Sequence, residues 1–352
     1  MKFLKKVPGT LLRLAVGVGI IVWLFSRMDL AGLMSVLRES LTRWPWLLCA
    51  IILCFICLCG GVLRWKIILD GRGLRMSWDR VFSIYFIGHF FNAFMFGSTG
   101  GDLARAFYAA QETHHKKTEA VATVLIDRVI GLVLLDLLTL VMLIARAPFF
   151  ISHWVTHVPA LLIVGMNLLT AIGFVALFNL HRFQHWRLFR RVTGHKVVGP
   201  IIRRTLISIL LYRRKKGVLF KTFLLSLVIH LLIILESYCL GRSLQIHLGL
   251  IAYLTVIPMT MAIAALPITP GGLGIREGLA VALFSALGIG STRSLPLALI
   301  FYLISLVWSL LGGLIFLGYS VGTGRTAQEE LAKLRQEAAS VNTQVRVARP
   351  HP

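Results

Sequence analysis

Two stretches decide how this chain folds: TGGDLAR at Thr99–Arg105 and PGGLGIR at Pro270–Arg276. Each is a Gly-Gly pair followed, four residues after the second glycine, by an arginine. Each lies inside a long apolar run, Val81–Gln111 in one case and Gly249–Gly290 in the other. Proline lacks a backbone donor and glycine is conformationally loose, so the clusters Gly97–Gly101 and Pro267–Gly272 break those runs midway. The chain therefore carries one device twice: an apolar helix, a glycine-rich break, and a short second helix that begins near a charge.

The surroundings of the two breaks set the class. Of 352 residues, 57% are hydrophobic, and the mean hydropathy is +0.81. Soluble domains are about 45–50% apolar. Successive apolar segments at 10–27, 45–69, 118–146, 158–180, 218–240 and 296–320 are each long enough to cross about 30 Å of hydrocarbon. Transmembrane barrels need short segments of period two, which are absent from the sequence. The basic N-terminus before the first segment has no small-x-small cleavage site, so it reads as an uncleaved span.

Lysine and arginine fix the topology. With the N-terminus inside and both broken runs treated as hairpins, most of the 37 Lys and Arg fall in cytoplasmic segments. Outside segments hold Arg27, Arg38, Arg43, Arg146, Arg242 and Arg293. The expected fold is an all-α integral membrane protein: six crossings and two re-entrant hairpins, at 81–113 and 249–290, with both termini cytoplasmic. The hairpins enter from opposite sides, each between two crossings. That is an inverted repeat, the arrangement of many transporters. Residues 1–321 form the membrane domain. The cytoplasmic segment 181–217 has no acidic residue and spaces Phe183, Trp186 and Phe189 every three positions, which reads as an interfacial amphipathic helix on anionic headgroups. The tail 322–352 reads as partly disordered.

The net charge of +23 is distributed as loop clusters. It points to anionic lipid rather than nucleic acid, for which no recognition motif exists. Cys49, Cys54, Cys57, Cys59 and Cys239 read as small residues of apolar helices, with no neighbouring His or carboxylate to complete a metal site. No Walker-type loop is present, and the clustered acid-base groups of a membrane hydrolase are missing. No enzyme activity, cofactor or metal is expected.

After each Gly-Gly pair a half-helix is expected, starting near Asp102 and near Leu273. Free N–H groups and the helix dipole make such starts anion sites, and glycine lets a ligand approach the backbone. Arg105 and Arg276, one turn further on, add planar forks suited to phosphate, and the two helix starts, brought together at the midplane, are expected to cradle one phosphate between them. Gly100, Gly101, Asp102, Gly271, Gly272 and Glu277 complete the two tips. The alternative is that the arginines pair with Asp102, Asp127, Glu277 or Glu236 and only hold the fold. Asp127-Arg128 can be an ion pair or a site element. Glu236 can carry a proton, gate the site, or pair with His230.

The stretches GSTGGDLARAFYAAQ, AVATVLIDRVIGL and LPITPGGLGIREGLAVALF resemble the flippase-like membrane domain of lysylphosphatidylglycerol synthetases. The similarity spans about residues 10–320. The resemblance implies translocation of an anionic phospholipid or polyprenyl-linked lipid across the cytoplasmic membrane of a bacterium or archaeon. It places motif positions on Gly100, Gly101, Asp102, Arg105, Asp127, Arg128, Pro270, Gly271, Gly272, Gly274, Arg276 and Glu277. The stand-alone form, without the soluble synthetase domain, is expected. Competing expectations are an accessory membrane subunit that positions a lipid- or glycan-synthesis enzyme, and a membrane enzyme acting on polyprenyl phosphate.

Overall fold

The computed structural model describes residues 38, 40–94, 100–113, 116–178, 215–266 and 274–322. The expected crossing at 10–27, almost all of the segment 181–217, the tail beyond Gly322, and Pro270, Gly271 and Gly272 lie outside the described residues. Among the described residues there is no strand. Hydrocarbon offers no partner for a backbone N–H or C=O, so a chain this apolar satisfies its backbone within helices.

Five helices are long and apolar enough to cross a membrane. They are α1 (Trp44–Gly71), α4 (Lys117–Ala145), α6 (His157–Phe178, entered through a 3-10 turn at Trp154–Thr156), α7 (Lys216–Ser243) and α10 (Ser291–Gly322). These are the crossings expected at 45–69, 118–146, 158–180, 218–240 and 296–320. A six-residue helix, α5 (Ala147–Ser152), joins α4 to α6. Between α1 and α4 lie α2 (Trp78–Phe94) and α3 (Gly100–Glu112); between α7 and α10 lie α8 (Leu250–Ala264) and α9 (Ile275–Ala286). At 1.5 Å per residue these four helices are about 18–26 Å long, each short of the hydrocarbon thickness. The half-helix starts differ slightly from expectation. The first begins at Gly100, and the second begins at Ile275 after Gly274 at φ +83°. Arg276 therefore lies in the first turn of α9, whereas Arg105 lies in the second turn of α3.

The packing is duplicated. α1 and α7 lie against one another and run antiparallel: Cys49 meets Cys239 (Sγ–Sγ 3.5 Å), Cys57 Sγ donates to the Ile229 carbonyl (3.8 Å), and Arg64 donates to Ser226 (2.8 Å). Among these eight helices, every other contact has a partner once α1, α2, α3, α4 are exchanged with α7, α8, α9, α10; the contacts of α5 and α6 stand outside the repeat. The pair α2–α3 matches α8–α9, α3–α4 matches α9–α10, and α1–α2 matches α7–α8. The cross-contacts are swapped as well: α2 packs on α10, and α8 packs on α4. Because the counterpart helices α1 and α7 are antiparallel, the two halves are inverted.

Backbone geometry gives the register of this repeat. α1 and α7 are both 28 residues long. The offset that carries Trp44 onto Lys216 also carries Gly73 (φ +69°) onto Gln245 (φ +57°). Both end their helix with the same pair of bonds. Leu74 N–H reaches the Leu69 carbonyl (3.0 Å) and Gly73 N–H that of Asp70 (2.9 Å); Ile246 N–H reaches Gly241 (2.9 Å) and Gln245 N–H reaches Arg242 (3.3 Å). This is a left-handed C-terminal cap, for which glycine is the easy residue. Gln245 accepts the strain of that conformation to keep the turn. The same offset carries Trp78, the first residue of α2, onto Leu250, the first of α8.

Close helix approach is bought with glycine where two helices of opposite halves meet. A Cβ on Gly312 of α10 would overlap the Phe86 carbonyl of α2, whereas Gly318, one and a half turns on, has open space. Small residues let backbones touch where lipid supplies no hydrophobic drive. Gly312→Ala should lower the thermal unfolding midpoint in detergent, on the scale of an overpacked core, about 1–3 kcal/mol. Gly318→Ala should leave that midpoint unchanged or raise it slightly. Equal midpoints for the two variants would refute this close contact.

Candidate binding site

Three arginines and two aspartates of the first half form one alternating chain. Arg64 Nε of α1 donates to Asp127 Oδ1 of α4 at 2.7 Å, and Arg105 Nη2 of α3 donates to Asp127 Oδ2 at 2.9 Å. Arg105 Nη1 lies 3.5 Å from Asp102 Oδ1, and Asp102 also takes Arg128 Nη1. Asp127 is 1% exposed, so this carboxylate is held in a low dielectric between two cations. A third bond, Arg64 Nη1 to Ser226, ties the chain to the other half.

Local sequence builds this chain. α3 can reach α2 because a Cβ on Gly101 would overlap the Gly88 carbonyl oxygen, and Gly101 N–H donates to Asn92 Oδ1 at 2.8 Å. That contact delivers Arg105 between two rings: its guanidinium carbon lies 4.6 Å from the Trp65 centroid and 4.6 Å from that of Tyr85. Trp65 is fully buried and anchored by its Nε1–H to Thr123 (3.2 Å). Gly131 leaves room for the Arg64 fork.

The second half is built differently. Glu277 accepts Gly274 N–H (2.6 Å) with one oxygen, and Arg276 Nη2 (2.6 Å) and Nε (3.2 Å) with the other. No carboxylate from another helix meets Arg276 among the described residues. Its guanidinium lies 4.9 Å from the Tyr302 ring and 5.9 Å from that of Phe301. It lines a small, open-mouthed recess, walled mostly by apolar side chains, with Ser237, Ile257, Thr260, Leu297 and Phe301. Glu236, 2% exposed, faces Cys54, and its Oε1 has no hydrogen-bond partner among the described residues. His230 is not its partner; that ring bonds to the Ser226 carbonyl at 2.7 Å.

The sequence-predicted residues thus fall into two groups. Gly100, Gly101, Asp102, Arg105, Asp127 and Arg128 converge in the first half, while Arg276 and Glu277 stand together in the second. The two arginines share no carboxylate or ring among the described residues. α2, which carries Tyr85, meets α10, which carries Tyr302, where Tyr302 donates from its hydroxyl to the Ala93 carbonyl (3.3 Å). Sequence reasoning missed Arg64, counted as a loop cation but 9% exposed inside α1, and its neighbour Trp65. The available signal was that Arg64 and Glu236 occupy the same position in two helices of equal length.

Residues 10–313 match the family model described as the lysylphosphatidylglycerol synthase TM region. The chain belongs to this family. It is a multi-pass membrane protein with archaeal relatives. A UPF0104 membrane protein of Pyrococcus horikoshii is 26% identical over 279 residues, which is 72% of this chain and 81% of the relative. One from Methanothermobacter thermautotrophicus is 24% identical over 284 residues, 74% of this chain and 81% of the relative. The family match covers both inverted halves and every ion of the chain from Arg64 to Arg128.

Asp127 holds two cations, so its neutralisation should be costly. Asp127→Asn should destabilise by about 3–5 kcal/mol, the cost of leaving a buried charge unpaired. Asp70→Asn removes a half-exposed partner from Lys66 (2.6 Å) and should change stability by about 0–1 kcal/mol. Thermal unfolding of both variants in detergent checks this. Similar midpoints would mean the Asp127 chain does not hold the helices.

Proposed function

We propose that this protein moves an anionic phospholipid or polyprenyl-linked lipid across the membrane, binding the headgroup phosphate at a hairpin arginine while the chains stay in lipid. The single observation that carries this is the inverted pair of halves, each with an arginine near the start of a helix too short to cross. In inverted-repeat transporters, sites lie near the midplane, where broken helices point their N-termini at anionic groups. We read α2–α3 and α8–α9 as re-entrant on this basis. The family description names a synthase of lysylphosphatidylglycerol, which supports a lipid substrate. The transport reading is supported by buried charges that are spent on holding helices together, as Asp127 is on Arg64 and Arg105.

Reconstitution tests the proposal. Purified full-length protein is placed in vesicles containing phosphatidylglycerol with a fluorescent headgroup or chain label, and a membrane-impermeant reductant bleaches the outer leaflet. Vesicles with the protein should bleach through to the inner leaflet's pool, and protein-free vesicles should not. A second set with a labelled polyprenyl phosphate distinguishes the two lipid classes. Bleaching no deeper than in protein-free vesicles for both lipids would overturn the reading.

A further inference from the structure

The surroundings of Arg105 have a counterpart around Arg276, residue by residue. The start-to-start offsets of the paired helices carry Trp65 onto Ser237, Tyr85 onto Ile257, Gly88 onto Thr260, and, from Lys117 and Ser291, Asp127 onto Phe301. The Gly-Gly motif carries Arg105 onto Arg276. The register is corroborated by contacts it was not drawn from. Arg64 meets Ser226, and their counterparts Glu236 and Cys54 meet as well. Ala120, Thr123 and Val124 are buried in α4, as are Ser294, Leu297 and Ala298 in α10.

The four residues that enclose Arg105 are those whose counterparts line the recess beside Arg276. In the first half an indole and a phenol cover the guanidinium and a carboxylate neutralises it. In the second half the indole is a serine, the phenol an isoleucine and the carboxylate a phenyl ring. The recess is the space left by the missing Trp65 side chain, and Arg276 is the arginine without an interhelical counter-ion. Two of the five N–H groups of Arg276 go to Glu277, leaving three without a partner among the described residues. Ser237 and Thr260 add hydroxyls to the wall, bonded back to Ile233 (3.1 Å) and Ile257 (2.8 Å), and both can rotate.

We infer that the halves have divided the labour: a phosphate group, of the kind a phospholipid headgroup carries, binds on Arg276 in the second-half recess, while Arg105 is a strut that takes no ligand. The lipid source of that phosphate rests on the transport reading; the site itself does not.

Full-length protein in detergent is titrated with dihexanoyl phosphatidylglycerol, with dihexanoylglycerol, and with inorganic phosphate as competitor. Three variants are compared with the parent: Ser237→Trp, which restores the first-half plug; Phe301→Asp, which restores its counter-ion; and Arg276→Gln. The parent should bind the phospholipid and not the neutral diacylglycerol. Each variant should bind it about tenfold or more weakly, the scale of one charge-assisted hydrogen bond. Thermal unfolding identifies variants that fold, and Arg276→Gln decides alone if the other two do not. Parental affinity in every folded variant overturns the inference. Competition by inorganic phosphate assigns the recess to the free anion, and its failure to compete assigns the recess to the lipid headgroup. Transport is scored separately. Vesicles that do not move lipid while detergent binding persists refute the transport reading alone. Parental transport by Ser237→Trp with lost binding refutes the recess as the transport site.

Discussion

A charge inside hydrocarbon must be paired, and Asp127 is where this protein meets that demand. Its two oxygens hold guanidinium groups from α1 and α3 while its own backbone belongs to α4. Three helices are thereby fixed in rotation as well as in distance, since each ion reaches its partner at only one angle about its helix axis. Placing Arg, Asp and Lys at a helix centre costs about 2.5–3.5 kcal/mol each on insertion scales. That cost is offset only while the whole chain from Arg64 to Arg128 is intact. The glycine contact of α3 on α2, the two rings over Arg105 and the bond to Ser226 all serve one arrangement.

The second half keeps the backbone of this arrangement and changes its electrostatics consistently. With Phe301 in the place of the bridging aspartate, a cation at position 236 would lack the counter-ion that Asp127 gives Arg64. Glutamate stands there instead. The first-half group of three arginines and two aspartates carries one net positive charge, and Glu236, Arg276 and Glu277 carry one net negative charge at full ionisation. The changes at 237, 257, 301 and 236 belong together. Each removes a part of the first-half enclosure, and none disturbs the helix-capping turns at Gly73 and Gln245 that set the frame.

The crossings were legible in the sequence because hydropathy over about twenty residues measures the property that decides insertion. The breaks were legible because Gly-Gly and Pro punctuate helices whatever surrounds them. Asp127 and Arg128 were also visible, as charges where charge is expensive. Arg64 was not, since an arginine seven residues from a span's end looks the same as one that snorkels to the surface. Which face of α1 it occupies depends on α4 and α7, and pairwise helix rotation leaves no trace in a single hydropathy profile. The recess was invisible for a related reason. Serine and isoleucine are unremarkable in an apolar helix, and they matter here only against the tryptophan and tyrosine that hold their counterpart positions.

The swapped packing also constrains how the halves can move. α2 belongs to the first half by sequence but lies against α10, with the Phe86 carbonyl touching Gly312 and Ala93 touching Tyr302. α8 likewise lies against α4. Rocking one sequence half against the other as rigid bodies would tear both contacts apart, at glycine-tight spacing in the case of α2 and α10. A motion that preserves them must instead keep α2 with α10 and α4 with α8, and take up the displacement at other contacts, that of α1 on α7 among them. That antiparallel contact is lined by Cys49, Cys57, Ile229 and Cys239, whose weak thiol bonds cost little to remake. The Arg64–Ser226 bond, at 2.8 Å, also crosses that surface, and it leads directly to Asp127. The charge chain of the first half and the contact between the counterpart helices α1 and α7 are therefore joined at a single arginine, so a change at Arg64 reaches both.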